Sequence, residues 1–151
     1  MNLTILETGL VPEPLRGRFR PYSEMFSAML ARHGAGITPR FVPVIEGAPL
    51  PDPESLQAVL ITGSPAGVYD PLPWMDPLRD FIRRAHQSGT KMVGICFGHQ
   101  IIADALGGDV RKSEKGWGLG RHVYEVAPHH PHFGPGVERL AIACSHQDQV
   151  I

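Results

Sequence analysis

Lys91-Met92-Val93-Gly94-Ile95-Cys96-Phe97-Gly98-His99-Gln100 begins as a strand and ends as a helix, with a cysteine at the junction. The apolar run predicts a buried strand over 91–95, and the next segment predicts a helix from Gly98 to Leu106, stopped by Gly107-Gly108. Between them, Gly94-Ile95-Cys96-Phe97-Gly98 has the form G-x-C-x-G. A chain that reverses so tightly holds its central residue in a strained conformation and needs small residues two positions away on either side. The turn lifts the central side chain to the carboxyl end of the sheet, where open α/β folds bind ligands. It also places the thiol at a helix N-terminus, where the dipole and unpaired N–H groups favour thiolate. Cys96 is the candidate nucleophile. The plainer alternative, a buried cysteine closing a strand, leaves the two flanking glycines unexplained. Cys144, after Leu140-Ala141-Ile142-Ala143, has no such frame and reads as a core residue.

Upstream, Leu3 to Leu6 reads as a first strand, followed by a loop carrying Pro12, Pro14, Gly17 and Pro21. Met25, Phe26, Met29 and Leu30 fall on one helical face and are expected in the core, with Gly34 just past the helix end. Ile37 to Ile45 predicts a second strand. Ala58 to Thr62, ended by Gly63, has the look of a buried parallel strand. After a Pro- and Gly-rich loop over 63–75, Leu78, Phe81, Ile82 and Ala85 mark the inner face of a helix ending near Gly89. This order implies an α/β fold, a mostly parallel open sheet with helices on both faces. Beyond residue 108 the texture changes. Val110, Arg121 to Val126 and Leu140 to Cys144 read as strands without helices between them, an antiparallel extension. With no repeat, low-complexity tract or linker, residues 1–151 read as one domain.

Composition excludes several classes. The apolar share is 42%, the charged share 19% and the net charge −1, with Lys and Arg scattered, which argues against nucleic-acid or membrane-surface binding. Two cysteines are too few for a disulfide framework and favour a reducing compartment. The N-terminus lacks the pattern of a secretory signal and no apolar run has membrane-spanning length, so a cytoplasmic protein is expected.

Four segments together resemble the class I glutamine amidotransferases, in particular the amidotransferase domain of GMP synthetases. Gly94 to Gln100, followed by Ile101-Ile102-Ala103, is similar to the family's nucleophile segment. Thr62-Gly63-Ser64-Pro65-Ala66-Gly67-Val68-Tyr69-Asp70 is similar to its oxyanion loop. Lys115-Gly116-Trp117-Gly118-Leu119-Gly120 and Ser145-His146-Gln147-Asp148-Gln149-Val150 resemble two further motifs, in the family's order. The resemblance implies a flavodoxin-like sheet, glutamine as substrate, no cofactor, and a synthetase domain or subunit that accepts ammonia. Cys96 would form a γ-glutamyl thioester, with the backbone N–H groups of Phe97 and Ser64 holding the oxyanion. Where much of the family has glycine, this chain has Ser64; the backbone donor survives if its dihedrals suit a side chain. Gly63, Ala66, Gln100, Ser145, His146, Gln147 and Asp148 would hold the glutamine. His99, in the first turn of the helix, is not the family's base and is expected to be structural.

The family's base and its orienting carboxylate form a His-x-Glu pair, which residues 1–151 do not contain. The expectation is a chain incomplete at its C-terminus, with the base in the missing tail. His146-Gln147-Asp148 has a comparable spacing, but the adjacent motif already accounts for it. His129, His130 and His132 suggest an exposed loop more than a metal site, and His33 and His86 sit near helix C-termini, where a cation needs no further role. Two rival readings stay open: a γ-glutamyl peptidase with the same nucleophile, and an inactive binding or regulatory module.

Overall fold

The computed structural model describes residues 1–33, 36–127 and 136–151. Its first unit, residues 1–110 with 150–151, is built on four parallel strands. β1 (Asn2–Leu6), β2 (Thr38–Val42), β3 (Ala58–Ile61) and β4 (Lys91–Gly94) lie in the order β2-β1-β3-β4. The helices α1 (Tyr22–His33), α2 (Met75–Gln87) and α3 (Phe97–Ala105) connect or follow them. Ala58, Val59, Leu60 and Ile61 are all buried, as expected of a central parallel strand covered on both faces. Their alternation sorts them. Val59 and Ile61 join Leu6 against Leu78, Phe81, Ile82, Phe97 and Ile101 of α2 and α3. Ala58 and Leu60 join Leu3 and Ile5 against Leu30 and Phe26 of α1. Helices therefore cover both faces, and the mostly parallel α/β sheet expected from the sequence is present.

Some details differ from the sequence reading. Met25 and Met29 are exposed rather than in the core, because α1 turns only Phe26 and Leu30 onto the sheet. The strand 91–95 is not buried: Val93 is 58% exposed and Ile95 is also exposed. Among the described residues, β4 is the sheet's edge, paired with β3 alone, and the α1-side cluster takes no residue from it. β2 ends at Val42, since Pro43 has no N–H for a ladder and the chain turns into a short 3-10 segment over Val44–Glu46.

The second unit spans 111–149. Its main feature is an antiparallel pair, β6 (Gly118–Glu125) with β7 (Arg139–His146), in which Gly120 faces Cys144 and Leu119 faces Ser145. Two short strands, β5 (Val110–Lys112) and β8 (Asp148–Val150), form a separate pair. Of the strands after residue 108, β6 and β7 thus form an antiparallel ladder of their own. Gly34, His129, His130 and His132 lie outside the described residues. No helix among those described is long and apolar enough to cross a membrane.

Candidate active site

The site begins where β4 ends. The ladder runs one residue past the strand, with the Ile95 N–H donating to Ile61 O at 3.0 Å. At Cys96 the backbone then turns to φ 52°, ψ −112°. Among the described residues, no other non-glycine residue has a positive φ. The helix starts at once: the N–H groups of His99 and Gln100 donate to Cys96 O at 3.0 and 3.2 Å, and that of Gly98 to Ile95 O at 2.9 Å. Cys96 is therefore the cap residue of α3, and it is an exposed residue.

The two glycines have separate jobs. A methyl group on Gly94 would lie 2.3 Å from the carbonyl of Gly98, and one on Gly98 would lie 2.2 Å from Ile61 O. Only hydrogen fits at either place, because both contacts are with backbone. Phe97 anchors the turn from within. Its ring is fully buried and meets Trp74 edge-on, with centroids 5.7 Å apart, while its N–H belongs to the first, unpaired turn of α3.

The 62–70 loop passes beside Cys96. A methyl on Gly63 would lie 3.6 Å from Cys96 Cβ. Ser64 Oγ accepts the Ala66 N–H at 3.2 Å and Asp70 Oδ2 accepts the Gly67 N–H at 2.9 Å, so the loop's side chains tie down its own backbone. Neither the Ser64 N–H nor the Phe97 N–H has an acceptor among the described residues. Two open backbone donors therefore lie on the segments flanking the thiol.

Thr8 and Gly9, just after β1, were not singled out by the sequence reading. Thr8 is fully buried; its N–H donates to Thr62 Oγ1 at 3.0 Å and its hydroxyl to Thr62 O at 2.9 Å. A methyl on Gly9 would lie 2.5 Å from Gly63 O. The pair pins the start of the loop. A threonine and a glycine directly beyond a strand, at the end where such sheets bind ligands, was the available signal.

Gln100 is buried one turn into α3, and His99 is exposed beside it. Cys144 is buried, with its thiol donating to Gly118 O at 3.3 Å, as expected of a core residue. The remaining candidates stand in the second unit. Ser145 and His146 end β7, Gln147 O accepts the Ser113 N–H at 2.9 Å, and Asp148 starts β8. Nδ1 of His146 is buried without a hydrogen-bond partner among the described residues. Among the described residues, no group of His, Cys, Asp and Glu is arranged to hold a metal.

The family model for class-I glutamine amidotransferases matches residues 27–151. The chain is 35% identical over 105 residues to γ-glutamyl peptidase 4 of Arabidopsis thaliana, which covers 66% of this chain and 42% of the peptidase. It is 37% identical over 99 residues to the glutamine-hydrolysing GMP synthase of Thermus thermophilus, covering 62% of this chain and 17% of the synthase. The chain thus spans less than half the length of these relatives. A solved glutamine amidotransferase from Thermotoga maritima superposes with a TM-score of 0.79 over 99% of this chain and 62% of its own, at 19% identity. That likeness is one of fold.

Proposed function

Because the chain belongs to the class-I glutamine amidotransferase family, we propose that it forms the nucleophile half of a site that hydrolyses the side-chain amide of glutamine through Cys96. The thiolate attacks the amide carbon, and the carbonyl π pair moves onto oxygen. The N–H groups of Phe97 and Ser64 stabilise that oxyanion. Collapse breaks the C–N bond, the leaving nitrogen takes a proton, and ammonia departs from a γ-glutamyl thioester. Water then attacks the thioester, releasing glutamate and restoring the thiol. The proton carrier is assigned to the His-x-Glu pair implied by the resemblance and absent from residues 1–151. Gly63, Ala66 and Gln100 are assigned to holding the substrate.

The observation that carries this reading is the backbone of Cys96. A strained φ of 52°, set between two glycines that admit no side chain, is retained where it presents a nucleophile. The test is turnover of glutamine by the intact protein and by Cys96→Ala. The variant should fold normally and lose activity by a factor on the order of 10³ or more. Wild-type turnover in the variant would refute the assignment.

A second reading keeps the nucleophile and changes the leaving group. Similarity to a γ-glutamyl peptidase at 35% identity supports it, since a γ-glutamyl peptide passes through the same thioester. The ratio of kcat/KM for glutamine to that for a γ-glutamyl dipeptide separates the two. A synthetase that takes up the ammonia belongs only to the first.

A further inference from the structure

One guanidinium ties the two sides of this site together. Arg79 lies in the second turn of α2, and its Nε donates to Asp104 Oδ2 on α3 at 2.7 Å. Its Nη1 donates to Asp76 Oδ1 at 2.8 Å, and its Nη2 donates to the carbonyl oxygen of Val68 in the 62–70 loop. The Arg79 side chain is 19% exposed and that of Asp104 28%, so their pairing is less screened than a surface ion pair. Burial by itself lowers the arginine pKa; the Asp104 and Asp76 carboxylates outweigh it and leave the pKa above its ordinary value. The other arginines of α2 do less. Arg83 donates to Ala105 O and Asp80, and Arg84 to Asp52 and Glu54; neither reaches the loop.

We propose that Arg79 is a positioning residue for the oxyanion donors, bracing the loop that carries the Ser64 N–H against the helix that carries the Phe97 N–H. The inference rests on the function proposed above. A planar fork holds acceptors from two elements at a fixed angle, which a lysine ammonium on a flexible stem does not. Oxyanion donors act only if aimed before charge develops, so a small shift of the loop weakens the transition state and leaves ground-state binding of glutamine little changed. The buried Val68 side chain anchors the same point of the loop in the core. Arg79 adds direction to that anchor.

The test compares Arg79→Met and Arg79→Lys with wild type in the intact protein. Three quantities are read: kcat and KM for glutamine, alkylation of Cys96 by iodoacetamide, and the thermal midpoint. Alkylation displaces iodide and forms no oxyanion, so it reports the thiol alone. Arg79→Met should lower kcat about tenfold, part of the effect of losing one donor outright, with KM within about twofold of wild type. Alkylation should keep its wild-type rate, and lysine should recover only part of the lost kcat. If the methionine variant does not fold, the lysine variant decides by the same readouts. Unchanged kcat in the variants overturns the inference. So does full rescue by lysine, or a parallel fall of kcat, alkylation rate and thermal midpoint. A wild-type protein that turns over no glutamine overturns the functional reading and this inference with it; wild-type kcat in the variants overturns the inference alone.

Discussion

Cys96 occupies backbone geometry that costs a non-glycine residue about 1–3 kcal/mol. Replacing it by glycine should relieve part of that strain, whereas alanine should keep it. Cys96→Gly is therefore predicted to unfold in urea with a stability about 1 kcal/mol above that of Cys96→Ala; equal stabilities would argue that the turn is relaxed. The glycines around it are predicted to separate folding from function. Gly98→Ala drives a methyl to 2.2 Å from Ile61 O and should destabilise by about 3 kcal/mol or more. Gly63→Ala brings its methyl only to 3.6 Å from Cys96 Cβ. It should fold with a loss under about 1 kcal/mol yet slow glutamine turnover by crowding the thiol. Activity and urea midpoints measured on both variants check the pair. The sharp turn at Cys96 was legible because G-x-C-x-G states a steric requirement directly in residue types. Thr8 and Arg79 were not, because their work is done with partners 54 and 25 positions away. Read alone, each is an ordinary polar residue.

Among the elements, β3 and α2 were readable and α1 and β4 were misjudged. Four consecutive buried residues leave no choice of face in β3, and Leu78, Phe81, Ile82 and Ala85 define a single stripe on α2. On α1, Met25 and Phe26 are about 100° apart around the axis, and the pattern does not say which of the two faces the sheet. An apolar run likewise does not say whether its strand is central or at the edge. The difference is measurable. Val59→Ala, at a fully buried position, should cost about 2 kcal/mol, whereas Val93→Ala should cost under about 0.5 kcal/mol. Similar losses would mean that β4 is covered. The link between β1 and β3 can be probed in the same way. Thr62→Val leaves the buried Thr8 N–H without its acceptor, and a loss of about 1–3 kcal/mol is expected; a neutral variant would show that water or a backbone shift replaces the bond.

At the scale of the molecule, family membership, a parallel sheet and the strained turn at Cys96 agree, and residues 1–151 hold no His-x-Glu sequence. Stability carries its own pH signature. Burial, with the nearby Glu46 charge, raises the Glu7 carboxyl pKa above its ordinary 4.5, although the Ser23 N–H opposes the shift. The folded protein therefore holds this proton more tightly than the unfolded chain. This contribution is favourable at low pH and is lost as pH climbs from 4.5 through the raised folded value. Glu7→Gln should gain thermal stability relative to wild type across that rise, and parallel curves would contradict the assignment. The proposed chemistry turns on one sulfur atom. Its most direct measurement is peptide mass spectrometry of the intact protein after exposure to a glutamine analogue that bears an alkylating ketone in place of the side-chain amide. An adduct is expected on Cys96 and none on Cys144, with protection by excess glutamine. An unmodified Cys96, or labelling that glutamine does not slow, would contradict it.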